Sequence, residues 1–174
     1  RVRAERYGTP LYGYSRAAIL DSCRRIEAAF DGAPHLSCYA VKANANPEIL
    51  RTISSEGFGA DVGSMGELFL ALAAGFRPEQ ITFSGVGKRD DEISFALAEK
   101  IHAFAVESEQ EIEAISSLAV RQHTTARILL RVNLDIDAGG HAYVSTSRKQ
   151  NKFGIPHGEA RRVLLRAAAL PGIE

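Results

Sequence analysis

The chain has 174 residues, and its 21 Lys+Arg balance its 21 Asp+Glu, so the formal charge is zero. That balance argues against the basic excess of a nucleic-acid groove or a membrane-surface patch, and no apolar run is long enough to span a bilayer. The length suits one domain with a real core, and the two cysteines, Cys23 and Cys38, lack metal-ligand spacing and read as small core residues of a cytoplasmic, reducing compartment.

In chain order, residues 1–14 read as an N-terminal extended segment, with turn residues Gly8, Thr9 and Pro10 before a short extended piece. Ser15 caps a predicted helix whose Ile19, Cys23, Ile26 and Phe30 fall at helical spacing, and Gly32 and Pro34 end it. The apolar run Leu36 to Val41 predicts a buried strand leading straight into Lys42. Asn46-Pro47-Glu48 then supplies an N-cap, a proline suited to the first helical position and an acidic first turn. Alternation puts Cys38, Ala40 and Lys42 in one phase, so small residues lead to a lysine at the strand's end. A lysine so placed, and buried, is a candidate for a lowered pKa and Schiff-base chemistry; the alternative is a solvated lysine capping a strand.

Further strands are predicted at Phe58–Val62, Ile81–Ser84, Ala103–Val106 and Ile128–Val132, the last interrupted only by Arg131. Helices are predicted from Glu67 to Ala74, from Asp90 or Asp91, from the Ser108/Glu111 capping-box pair, and from Gly158 to Ala169 with Val163, Leu164 and Ala167 inside. A long loop, Asn133 to Lys152, precedes that last helix. Strand and helix alternate with short connections, which predicts α/β architecture with a parallel sheet. An open doubly wound sheet is possible. However, Lys42, Asp61, Ser84, Glu107 and Asn133 fall at successive strand ends, which favours a ring of loops around one mouth: a parallel (β/α)8 TIM-type barrel. Such a barrel needs eight units; about five are countable over residues 15–174, with Pro171 entering a sixth strand, so the chain reads as the first part of one. Gly85-Val86-Gly87-Lys88 lacks P-loop spacing, and Lys88 reads as a solvated lysine or a lining of the mouth.

Several stretches taken together resemble one family, the alanine-racemase-like (fold type III) pyridoxal-phosphate decarboxylases: Tyr7-Gly8-Thr9-Pro10-Leu11-Tyr12, Tyr39-Ala40-Val41-Lys42-Ala43-Asn44, and Gly57 through Leu68. Arg131 through Ala138, His141 through Thr146, and Lys152-Phe153-Gly154-Ile155 most resemble its diaminopimelate-decarboxylating branch. The resemblance implies that Lys42 holds pyridoxal 5'-phosphate as a Schiff base, and that Asp61, Ser64, Glu67 and Arg131 lie at the cofactor. It also implies decarboxylation of meso-diaminopimelate to L-lysine. Ser64 also reads as an ordinary N-cap and Glu67 as a helix-start charge. Arg131, expected buried, needs a carboxylate or the cofactor as partner. His141 reads as a surface histidine or a substrate contact; its loop has Gly139-Gly140 where the family commonly has one residue and Thr. The resemblance further implies a small amino-acid substrate and a homodimer with a shared active site. It also implies a C-terminal β-domain against which residues 1–14 pack, and phosphate- and pyridine-binding residues beyond Glu174. Two alternatives stay open: decarboxylation of ornithine, arginine, carboxynorspermidine or a carrier-bound glutamyl group, and a non-catalytic barrel serving as a binding module.

Overall fold

The computed structural model describes residues 2–134 and 153–174. Five parallel strands lie in unbroken order: β1 (Cys38–Ala40), β2 (Gly59–Val62), β3 (Ile81–Phe83), β4 (Ala103–Val106) and β5 (Ile128–Leu130). Helix α2 (Arg16–Ala29) precedes β1, and α3 (Pro47–Ser54), α4 (Met65–Ala73), α5 (Asp90–Ala98) and α6 (Glu109–Arg121) connect successive strands. The predicted caps are present. The Asn46 side chain accepts from Glu48 N at 2.9 Å with Pro47 opening α3, and Ser15 Oγ accepts from Ala18 N at 3.3 Å.

The ladder register sorts the strand residues into two faces. Ala60 pairs with Ile81, Val62 with Phe83, Phe83 with Phe104 and Phe104 with Ile128. In this phase Ala60, Val62, Ile81, Phe83, Phe104 and Val106 are at most 2 % exposed, packed with Leu50, Leu68, Ile93, Ile112 and Ile115 of the helices. The other phase runs Ala40, Asp61, Thr82 across β1 to β3 and Ala105, Leu129 across β4 and β5; it stays half-buried or, at Leu129, exposed. Among the described residues, helices therefore cover one face only, and the strand order never reverses. A doubly wound sheet would have a reversal and helices on both faces, so the barrel arrangement is the one built here, as five successive units.

Some expectations need correction. Residues Val2–Tyr7 form a helix, α1, where an extended segment was expected; Ala, Glu and Arg favour it, and Gly8 at φ +80° closes it with N–H bonded to Ala4 O at 2.8 Å. After α1, Leu11, Tyr12 and Tyr14 are exposed. The fifth strand is not continuous to Val132. It stops at Leu130, and β6 (Val132–Asn133) pairs in parallel with β7 (Ile155–Pro156), a strand the sequence did not suggest. Gly154, at φ +82°, makes that approach possible: a Cβ there would stand 2.8 Å from Arg131 O. The last helix, α7 (His157–Ala168), buries Val163 and Ala167 but leaves Leu164 exposed. Arg162 and Arg166 of α7 grip Glu109 of α6 and hold its carboxyl below the usual range. Beyond α7, Ala126 and Ile173 form a parallel bridge beside β5, consistent with a further strand beginning there.

Gly59 sits where β2 crosses Cys38, and a Cβ there would lie 2.2 Å from Gln80 O and 2.9 Å from Cys38 Sγ. Gly59→Ala is expected to lower the unfolding free energy by about 1–3 kcal/mol through overpacking. Gly87→Ala, which meets nothing within 4 Å, is expected to stay within about 0.5 kcal/mol of the parent. Urea unfolding of both variants checks this.

Candidate active site

The C-terminal ends of the strands meet on the open face of the sheet. Lys42 lies in a single 3-10 turn, Val41–Ala43, between β1 and the Asn46 cap of α3. Val41 is fully buried and pins that turn, while Lys42 is exposed and has no hydrogen-bond or ion-pair partner among the described residues. The expected burial of Lys42 is thus not found: the open face has no opposing wall among the described residues. Its expected place, at the junction of strand end and helix start, is found.

Lys42 lies two residues beyond Ala40, whose Cα pairs with that of Asp61. Asp61 is half-buried, and its Oδ1 accepts from Thr82 Oγ1 at 3.1 Å and from Ser84 Oγ. These hydroxyls, on β3 and just after it, fix the carboxylate and leave it ready to face a cation or a polar ligand. Asp61 also acts on its neighbour: burial first, and then the Asp61 charge, push the Cys38 thiol up from its ordinary value.

Ser64 and Glu67 together cap the start of α4, Glu67 reaching the residue before the N-cap. Ser64 Oγ accepts from Glu67 N at 3.3 Å, and Glu67 Oε2 accepts from Gly63 N at 2.7 Å. The same device recurs before α6, where Ser108 Oγ accepts from Glu111 N at 3.2 Å and Glu111 Oε2 from Glu107 N at 2.8 Å. Glu92 ties the start of α4 to that of α5 along the rim, taking Met65 N at 2.9 Å and Arg89 N at 3.1 Å.

Arg131, expected buried, is 44 % exposed on the open face. Its expected carboxylate is Glu107, whose Oε1 lies 2.9 Å from Arg131 Nη1, and its guanidinium stands over the Phe153 ring at 5.4 Å. The Glu107 side chain is 6 % exposed, and its second oxygen, Oε2, is buried without a hydrogen-bond partner among the described residues. A buried carboxylate oxygen in that state calls for a donor. Ser84, Glu107 and Thr82 were legible only as strand residues, the first two as strand ends. Their link to Asp61 and Arg131 depends on register, which one sequence does not display. His141 lies outside the described residues.

Lys88 is a correction. It is not solvated: its side chain is 1 % exposed, with Nζ 2.6 Å from Glu111 Oε1. An apolar hollow of about 520 Å3, lined by α2 residues together with Tyr39, Ile53 and Phe58, opens on the helix side of the sheet. Among the described residues no His, Cys, Asp and Glu cluster suits a metal ion, and no helix is long and apolar enough to cross a membrane.

Among the described residues, an unpartnered amine at the rim, a hydroxyl-held carboxylate on the neighbouring strand and an arginine–glutamate pair with an unbonded acceptor oxygen fit a small aldehyde-bearing ligand with polar substituents. The chain belongs to the pyridoxal-dependent decarboxylases: residues 16–174 match their pyridoxal binding domain. The cofactor of that family is pyridoxal 5'-phosphate, and the fit of Lys42, Asp61 and the Glu107–Arg131 pair to such a molecule agrees with it. Among its relatives, diaminopimelate decarboxylase of Pseudomonas aeruginosa is 47 % identical over 171 residues, covering 98 % of this chain and 41 % of the relative. Diaminopimelate decarboxylase of Vibrio cholerae is 44 % identical over the same shares. The crystal structure of diaminopimelate decarboxylase from Helicobacter pylori complexed with L-lysine superposes with a TM-score of 0.92 at 39 % identity, over 99 % of this chain and 44 % of that one. The chain thus spans about two fifths of the length of the curated relatives it matches.

The capping geometry separates two roles for Glu67. Glu67→Ala removes the bond to Gly63 N and is expected to cost about 0.5–2 kcal/mol. Glu67→Gln keeps an acceptor and is expected to leave the melting temperature nearly unchanged. A large loss of cofactor affinity in Glu67→Gln at unchanged melting temperature would assign Glu67 a direct charge role at the cofactor. Thermal unfolding beside a pyridoxal phosphate titration decides between them.

Proposed function

We propose that the full-length polypeptide decarboxylates meso-diaminopimelate to L-lysine with pyridoxal 5'-phosphate, and that this chain supplies the lysine side of the active site. The observation that carries the reading is the gathering of Lys42, Asp61, Glu107 and Arg131 at the strand ends of one uncovered face. The substrate rests on the 40–47 % identity to diaminopimelate decarboxylases.

Lys42 would hold the cofactor through its aldehyde carbon and give it up to the substrate's amine, after which Nζ is free to carry a proton. Asp61, fixed by Thr82 and Ser84, sets a negative charge close to the lysine and cofactor. Arg131, oriented by Glu107, offers its cation to the open face, where a ring oxygen or carboxylate of the bound molecules is stabilised. Ser64 lies at the cofactor edge with its hydroxyl proton left to donate, and Glu67 orders that loop. When bound, pyridoxal phosphate supplies the electron sink for the pair left on Cα as carbon dioxide departs. Residues 1–14, with exposed Tyr7, Leu11, Tyr12 and Tyr14, pack against a C-terminal β-domain. The assembly is a cytoplasmic homodimer that shares its active sites.

In full-length protein, bound cofactor is expected to absorb near about 420 nm. Lys42→Ala is expected to lose that band and to lower carbon dioxide release roughly 10³-fold or more. Across diaminopimelate, ornithine, arginine and lysine, diaminopimelate is expected to be turned over fastest. Equal or faster release from ornithine contradicts the substrate assignment, and a colourless protein with cofactor in excess favours a binding module.

A further inference from the structure

The buried Lys88 is not used by the chemistry above, yet its surroundings are built with care. Its Nζ donates to Gly85 O at 2.8 Å, Ala105 O at 2.7 Å and Glu111 Oε1 at 2.6 Å, which accounts for all three ammonium protons. It also stands 5.7 Å from the centre of the Phe83 ring. The loop that carries it owes its form to this: Gly85, at φ +108°, lets Gly85-Val86-Gly87-Lys88 fold back so that the lysine reaches its own loop's carbonyl.

Burying an ammonium and a carboxylate together costs several kcal/mol of solvation for each, and only good geometry offsets it. Capping α6 does not require that arrangement. Glu67 makes the equivalent bond, to Gly63 N at 2.7 Å, with no cation paired to it among the described residues. What distinguishes the α6 cap is its neighbour. Glu111 holds Glu107 N at 2.8 Å, and the Glu107 carboxylate holds Arg131 at 2.9 Å. The Arg131 main chain is fastened to the same strand end, its N–H donating to Val106 O at 2.9 Å.

We propose that Lys88 is a positioning residue for the active site: by fixing Glu111 between its own ammonium and the Glu107 backbone, it sets where the Glu107–Arg131 pair stands on the open face. The proposal rests on the reading of Arg131 as a group that faces the cofactor. The chain of contacts runs from β3, through the loop before α5, to the cap of α6 and the end of β5. Placement of one functional pair thus depends on contacts that reach from β3 to the end of β5.

The test uses full-length protein with pyridoxal phosphate as probe. Lys88→Met is expected to weaken pyridoxal phosphate binding and to lower kcat/KM roughly ten- to a hundredfold, the cost of a misplacement of about 1 Å. Because Lys88→Met strands a buried carboxylate and lowers stability, Lys88→Met/Glu111→Gln is made beside it. That double variant is expected to regain melting temperature while kcat/KM stays low. Glu107→Gln, which leaves the Lys88–Glu111 pair intact, is expected to reproduce the loss of kcat/KM at a near-normal melting temperature. Recovery of both stability and kcat/KM in the double variant would make Lys88 purely structural and overturn the proposal, as would wild-type kcat/KM in Glu107→Gln. A parent protein that shows no cofactor absorbance at all would instead remove the reading beneath it.

Discussion

The parallel register of the five strands is the constraint on which everything else depends. It sends Ala60, Val62, Ile81, Phe83, Phe104 and Val106 under the helices, where at most 2 % of each is exposed, and leaves the alternate residues to the other face. Because the period is two, a slip of one residue would exchange these sets, and in β2 it would bring the Asp61 carboxylate into the core. Full burial of a Val, Ile or Phe side chain stabilises by about 1.5–3 kcal/mol, so the apolar row fixes the register firmly. The polar row at the strand ends is a consequence of it. Lys42, Asp61, Glu107 and Arg131 come from four different units and stand at the same end of the sheet because the ladder brings those strand ends level.

A second layer of order lies in the rim. Glu67, Glu92 and Glu111 each occupy the third position of a helix and each take a backbone N–H just before it. Two of them also reach a neighbouring unit, Glu92 through Met65 N and Glu111 through Lys88. The loops that carry site residues are therefore held by charge-assisted bonds, which are shorter and stronger than neutral ones. A site on such loops is stiff without being part of the core.

Much of this was legible in one sequence because the signals are local. Asn46-Pro47-Glu48 and the Ser108/Glu111 pair name helix starts by chemistry that acts within four residues, and both stand where expected. Asp61 and Arg131 were readable as polar residues in otherwise apolar or small surroundings. What escaped were facts set by distant parts of the chain. The exposure of Lys42 and Arg131 depends on what covers the open face. The burial of Lys88 depends on Glu111, 23 positions away. The β6–β7 pairing joins residues across a long connection, and α1 was hidden by the turn residues that follow it.

The central claim is that the amine of Lys42, and no other, receives the cofactor. Reduction of full-length holoprotein with borohydride, followed by peptide mapping, tests it most directly. The pyridoxyl group is expected on the peptide containing Tyr39 to Asn44, at Lys42. Its recovery on Lys88 or any other lysine, or its absence from the protein after reduction, would contradict the account.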